Sequence, residues 1–280
     1  MGMPLWKGMS EQLSHQGSDL KILCDNAARA VTDAIEDMTG TTVGGQNVKM
    51  GADGTPTKQI DRAAENAVLD TLQASGLGFM VLSEEIGEVM IGGKADYFLH
   101  LDPLDGTFNA IAGIPFYSVS IYLSKGDFHF GYISDLARGG SFYAEAGRGA
   151  YSQQGGRLQV SPHADLSHFS ISAYTLRPHT GRMAAIGDTV RRIRTLGSTS
   201  MEMALVASGK LDAFVDLRGM MRVVDVAAGK IILEEAGGMV TDALGNALHL
   251  DGNMWQKTDL IGSNGLVHAD LLRLIGGGPH

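Results

Sequence analysis

The chain has 280 residues, 44% of them hydrophobic and 38 of them glycine, a composition that fits a globular α/β protein with many tight turns and excludes disorder. Its 31 acidic and 22 basic residues give a formal charge of -9 without any Lys/Arg-rich block, which argues against nucleic acid or an anionic membrane as a partner. Cys24 is the only cysteine, so an internal disulfide and a cysteine-based zinc site are excluded, and it reads as a buried thiol on a helix. The first ten residues lack an apolar core of signal-peptide length and no later apolar run approaches membrane-spanning length, so a cytoplasmic location is the expectation.

Leu20, Leu23, Ala27, Val31, Ala34, Ile35 and Met38 recur at helical spacing and predict an amphipathic helix over Asp19–Met38, stopped by Gly40. A glycine-rich loop leads to a second helix near Ile60–Leu72, and Phe79–Ser83 reads as a short buried strand with Glu84 and Glu85 at its end. Tyr97–Leu101 is another strand ending in Asp102, after which Pro103 and Gly106 force a turn and Thr107–Ala112 can open a helix. Tyr117–Ala146 alternates as an antiparallel meander, and Gly147-Arg148-Gly149 reads as a hairpin turn.

From about Gly181 the pattern becomes helix (Arg182–Ile193), helix (Thr199–Ser208), strand (Asp212–Leu217), helix (Val226–Ala236), strands (Met239–Thr241, Leu260–Ser263) and a closing helix through Leu274. Residues 1–165 therefore form an α+β half and residues 166–280 an α/β half. With no repeat or long linker between them, the two make one compact unit.

Chemistry concentrates in Asp102-Pro103-Leu104-Asp105-Gly106-Thr107. A strand end followed by a proline-stiffened turn can aim two carboxylates and the Leu104 carbonyl into one small volume, a hard-oxygen set suited to magnesium. An acidic protein that handles phosphate esters must offset charge locally, and cations do this. A helix starting at Thr107 would also turn backbone N–H groups toward a phosphate, with Gly106 and Thr107 as the candidates to bind it. Glu84-Glu85 is a second acidic cluster at a strand end, with Glu84 the better candidate because neighbouring strand residues face opposite ways. Asp225, followed by Val226-Ala227-Ala228-Gly229, starts a helix with small residues that allow close packing, and reads as an N-cap, a ligand or both. The loop from Asp53 to Asp61 brings hydroxyls and an acid to a helix start.

These residues resemble the inositol monophosphatase family, and within it the archaeal-type branch handling both inositol monophosphate and fructose 1,6-bisphosphate. The signatures, in order, are the loop ending in Asp61 with Ala64-Glu65, then Ser83-Glu84-Glu85, the block Asp102–Thr107, and Asp225-Val226-Ala227-Ala228-Gly229. The resemblance implies a layered αβαβα sandwich, a homodimer, and magnesium-dependent hydrolysis of a sugar or inositol phosphate with two to three ions per site. Matched residue by residue, Glu84, Asp102 and the Leu104 carbonyl would hold one ion, Asp102, Asp105 and Asp225 a second, and Glu85 a looser third. Asp61 and Thr107 would orient the attacking water.

Substrate selection would fall to Tyr174, Arg194, Ser198, Thr199, Asp216, Arg218 and Arg222. Asp216 would accept sugar or inositol hydroxyls, and Arg218 or Arg222 would meet the second phosphate of a bisphosphate. Val224, where many members carry tryptophan, and Ser83, in place of glycine, depart from the pattern without removing a ligand. The runner-up substrates are 3′-phosphoadenosine 5′-phosphate and NADP, and a catalytically silent metal-binding scaffold is the non-enzyme alternative. The chain lacks the Asp-x-Asp of aspartyl-nucleophile phosphatases, a Walker loop and a Gly-x-Ser-x-Gly elbow.

Overall fold

A computed structural model of the chain describes residues 13–52, 54, 56–175, 179–250 and 256–276; Asp53 and Thr55 of the loop before Asp61 lie outside them. The first helix, α1 (His15–Ile35), starts earlier than its apolar pattern suggests because the Ser14 hydroxyl caps it, accepting the Gly17 N–H at 2.9 Å. Its inner face buries Leu20, Cys24, Ala27, Val31 and Ile35. A small hairpin, β1 (Asn47–Met50) and β2 (Pro56–Lys58), occupies what the glycines made look like plain loop, and leads into α2 (Gln59–Ala74).

Next come β3 (Phe79–Ser83), β4 (Gly87–Ile91), β5 (Tyr97–Asp105), α3 (Thr107–Ala112), β6 (Ser118–Lys125), β7 (Phe128–Asp135), β8 (Ser141–Glu145) and β9 (Gly149–Ser152). They build a seven-stranded sheet of order β4-β3-β5-β6-β7-β8-β9, antiparallel except for the β3–β5 pair. A second, five-stranded sheet contains β10 (Ser170–Tyr174), β11 (Arg192–Arg194), β12 (Ala213–Met221), β13 (Met239–Thr241) and β14 (Thr258–Ser263) in the order β11-β10-β12-β14-β13. Between and around these strands run α4 (Arg182–Thr189), α5 (Thr199–Ala207), α6 (Val223–Glu235) and α7 (His268–Gly276).

The layers follow from which helix faces are apolar. α1 and α2 cover one face of the large sheet, each burying a single stripe. α5 and α6 are apolar nearly all round and fill the space between the two sheets. α4 and α7 cover the far face of the small sheet through Ile186, Leu271 and Ile275. The result is an αβαβα sandwich. The middle layer is tight: a Cβ on Gly131 of β7 would come within 2.7 Å of the Ala228 carbonyl oxygen of α6, so only glycine lets helix and strand approach this closely.

The helix predicted over Arg182–Ile193 is a correction. It ends at Thr189, and Arg192-Ile193-Arg194 form an exposed edge strand parallel to Ser170-Ile171-Ser172, because ladder bonds to β10 outweigh the weak helical pattern there.

Candidate active site

Asp102 and Asp105 are an odd number of residues apart, and in a regular strand they would face opposite sides of the sheet. The β5–β6 register shifts between them: Asp102 pairs with Ser120 and Asp105 with Ser118, so three steps on β5 match two on β6. This bulge, at Pro103 where no N–H is available for the ladder, turns both acids toward one cleft. The Leu104 N–H closes the turn onto Asp102 Oδ1 at 3.1 Å.

Gly106 then takes φ +95°, and a Cβ there would lie 3.1 Å from the carbonyl oxygens of Gly197 and Phe116, so glycine is required on both counts. Thr107 opens α3, its hydroxyl 2.8 Å from Asp61 Oδ1 and 3.1 Å from the Leu104 carbonyl oxygen.

Carboxylate oxygens of Glu84, Asp102 and Asp225 lie within 4.8 Å of one another. Glu84 arrives from the turn after β3, which Glu65 organises by accepting the Ser83 hydroxyl and the Ile86 N–H. Asp225 is the third residue of α6 rather than its N-cap, because the helix starts at Val223, three residues earlier than its small-residue run suggested; its Oδ2 accepts the Arg222 N–H at 2.9 Å. Asp61 occupies the same position in α2, its Oδ2 accepting the Lys58 N–H at 3.1 Å. Two helices thus each present an acid from the first turn, where the backbone dipole favours it.

Burial, reinforced by Glu84, Asp105 and Asp225, pushes the Asp102 carboxyl well above its usual range, and Arg222 works in the opposite direction. Burial also raises Asp105, with Ser200 and Ser198 hydrogen bonds opposing it. Asp61 is pushed up to about 6 by burial against the hydrogen bonds from Thr107 and Lys58. Several acids forced together in a buried place need a cation, and these all-oxygen donors fit a hard divalent ion. The Arg222 guanidinium already acts as a positive group among them: its Nη2 lies 2.7 Å from Glu84 Oε1 and 2.9 Å from Asp225 Oδ1.

The cleft, of about 330 Å³, is lined by Glu84, Asp102, Leu104, Asp105, Gly106, Thr107, Thr199, Arg218 and Arg222, together with Asp225. Met220, Met221 and Lys257 also line it and were not legible in the sequence; Lys257 carries no motif and arrives because Thr258 of β14 pairs with Met221 of β12.

Other expected residues sit elsewhere. Asp216 has no exposed surface, does not line the cleft and is gripped by Arg218 (Nε 2.9 Å from Oδ2), so here it braces that arginine. Tyr174 lies behind the cleft wall, its ring 4.7 Å from the Arg218 guanidinium and its hydroxyl 2.7 Å from Glu202 Oε2. Ser198 is buried and donates to Asp105 Oδ2 at 2.8 Å, as the Ser200 N–H does at 2.7 Å. Arg194, on the edge strand, opens onto a different cavity with Phe116, Phe142 and Lys210. Glu85 is buried and accepts the Thr57 hydroxyl, outside the group of three carboxylates. His100, two residues before Asp102 on β5, packs against the Tyr122 ring, and burial lowers its pKa to about 4.

A five-layer α/β sandwich with acids from a strand bulge, a strand-end turn and a central helix gathered in one cleft has the make-up of a metal-dependent phosphatase. The chain belongs to the inositol monophosphatase family, whose model matches residues 18–276. A relative from Methanothermobacter thermautotrophicus, named fructose-1,6-bisphosphatase/inositol-1-monophosphatase, is 35% identical, with 96% of each chain covered. A bifunctional NADP phosphatase/NAD kinase from Methanococcus maripaludis is 34% identical over 92% of this chain, which spans 49% of that longer protein. The solved structure of a protein from Pyrococcus horikoshii described as similar to inositol-1 monophosphatase superposes with a TM-score of 0.79 at 31% identity, covering 92% of this chain and 97% of that one. The chain is accordingly a phosphomonoesterase.

Proposed function

We propose that this enzyme hydrolyses fructose 1,6-bisphosphate, inositol 1-phosphate or both, with two to three Mg2+ ions held by Glu84, Asp102, the Leu104 carbonyl, Asp105 and Asp225. Glu85 is the candidate for the loosest ion. The observation carrying this reading is the meeting of Glu84, Asp102 and Asp225 within 4.8 Å, in a cleft that also holds Thr107, Arg218 and Lys257.

When bound, the divalent ions acidify a water and neutralise charge on the phosphoryl and leaving oxygens. Asp61 would accept a proton from the attacking water; with its carboxyl near 6 it is ionised, yet still basic enough to accept, at neutral pH. Thr107, within hydrogen-bond reach of both Asp61 and the Leu104 carbonyl, keeps Asp61 aimed. The N–H groups of Gly106 and Thr107 receive phosphoryl oxygens. Arg218, braced by Asp216 and stacked on Tyr174, meets the far end of the substrate, and Thr199 borders the same side.

A nucleotide substrate is the second reading, favoured by the relative named as an NADP phosphatase. Against it, the described residues lining this cleft include no aromatic side chain on which a base could stack. Turnover on fructose 1,6-bisphosphate, inositol 1-phosphate and NADP at equal Mg2+ decides between them. The sugar reading predicts the first two, and Arg218→Ala should raise KM for the bisphosphate more than for inositol 1-phosphate. Preferred turnover of NADP, or an Arg218→Ala variant indistinguishable on the bisphosphate, overturns it. A homodimer belongs to the same proposal and is checked by light scattering.

A further inference from the structure

Arg222 stands in an unusual place for a substrate-binding arginine. Its guanidinium is bidentate on Asp225, with Nε 3.1 Å from Oδ2 and Nη2 2.9 Å from Oδ1, and the same Nη2 reaches Glu84 Oε1 at 2.7 Å. The side chain is only 12% exposed. Two of the three carboxylates that converge in the cleft therefore already share one positive charge.

The carboxylates Arg222 holds are two of the three that a divalent ion in the cluster would need. An ion at the usual Mg2+–oxygen distance of about 2.1 Å from either oxygen would lie within about 5 Å of Nη2, two like charges in a buried place. Both cannot occupy the cluster at full strength. The backbone of Arg222 is anchored independently, since its own N–H donates to Asp225 Oδ2 at 2.9 Å and forms the helix cap. The guanidinium can thus leave the carboxylates without unwinding α6. Where it would go is bounded by the cleft it lines with Arg218 and Lys257, the wall available to an anion.

We propose that Arg222 is an internal counter-cation that exchanges Glu84 and Asp225 for a phosphate oxyanion, so that divalent-ion loading and phosphate binding are coupled through one side chain. The proposal rests on the phosphatase reading above and deepens it. In the free enzyme the arginine competes with the ion and weakens its binding. A phosphate that draws the guanidinium away removes the competitor, which is positive cooperativity between cation and anion.

The test is calorimetric titration of Mn2+ into the chelator-stripped, full-length protein, with and without inorganic phosphate, for the wild type, Arg222→Gln and Arg222→Lys. Without phosphate, Arg222→Gln should bind Mn2+ on the order of tenfold more tightly than wild type, as expected when a competing state is removed. Phosphate should tighten Mn2+ binding several-fold in wild type and distinctly less in Arg222→Gln. Arg222→Lys keeps the charge but not the two-pronged bond, should fall between the two, and serves in place of the glutamine variant if that fails to fold. Mn2+ affinity that is unchanged or weaker in the variants overturns the proposal, as does equal phosphate tightening in all three proteins. An Asp102→Asn control separates the failures: Mn2+ binding that survives it unchanged removes the metal centre itself, whereas its loss leaves the phosphatase reading standing whatever Arg222 does.

Discussion

The Asp61 carboxylate and the Thr107 hydroxyl, 46 positions apart in the chain, meet at 2.8 Å where the first turns of α2 and α3 face each other. Burial raises the Asp61 carboxyl to about 6 in spite of that bond. If Asp61 is the proton acceptor, Asp61→Asn lowers kcat by about 10²- to 10⁴-fold, while KM and Mn2+ affinity stay within about twofold. Steady-state kinetics and calorimetry together check this, and an unchanged kcat removes Asp61 from the chemistry.

Asp102 is crowded by Glu84, Asp105 and Asp225, and its charge is unfavourable until a cation arrives. Asp102→Asn should abolish Mg2+-dependent turnover and, in EDTA, raise Tm, because one of several repelling buried acids is gone. Added Mg2+ should raise the wild-type Tm through binding to the folded state, and do so much less in the variant. Thermal melts with EDTA and with Mg2+ read both effects, and a variant whose Mg2+-induced rise equals that of wild type contradicts the assignment.

Glu202 is the fully buried acid of α5, accepting hydrogen bonds from Ser172, the Tyr174 hydroxyl and the Leu196 N–H. Burial lifts it from 4.5 to about 7, those bonds opposing the rise. The folded state therefore keeps the proton that the unfolded state releases. Its stabilising contribution is complete below pH 4.5 and is lost as pH climbs toward 7, by roughly 3 kcal/mol. Glu202→Gln should flatten this part of the stability profile. Urea melts at intervals from pH 4.5 to 8 measure the slope, and identical slopes in the two proteins exclude Glu202 as its source.

Gly106 combines φ +95° with a tightly enclosed Cα. Gly106→Ala should cost roughly 2 kcal/mol or more and lower kcat, since the turn carrying Asp105 and Thr107 must shift. Chemical denaturation and kinetics report the two parts separately, and a variant of wild-type stability shows that the turn can absorb a methyl group.

Much of the site was legible because its signals are local. Asp102-Pro103-Leu104-Asp105-Gly106-Thr107 announces a strand end, a residue without an N–H, a glycine turn and a helix start within six residues, and the structure adds the bulge that makes the two acids face one way. The strands Phe79–Ser83 and Met239–Thr241 and the helix Thr107–Ala112 follow from patterning alone, since a buried strand or a turn-started helix is encoded by neighbours in sequence.

What tertiary structure alone decided is which polar groups are consumed by partners distant in sequence. Ser198 and Ser200, more than ninety positions from Asp105, hold its carboxylate; Asp216 disappears beneath Arg218; Arg194 faces another cavity; and Arg222 settles among the acids. Lys257 reaches the cleft only because β14 pairs with β12. Turn chemistry and burial periodicity are written in adjacent residues, so the acids of the site and the layers of the fold could be read from the sequence. Hydrogen-bond satisfaction of buried charge is settled between segments that meet only after the two sheets close on α5 and α6, and that assigned each arginine and serine its place.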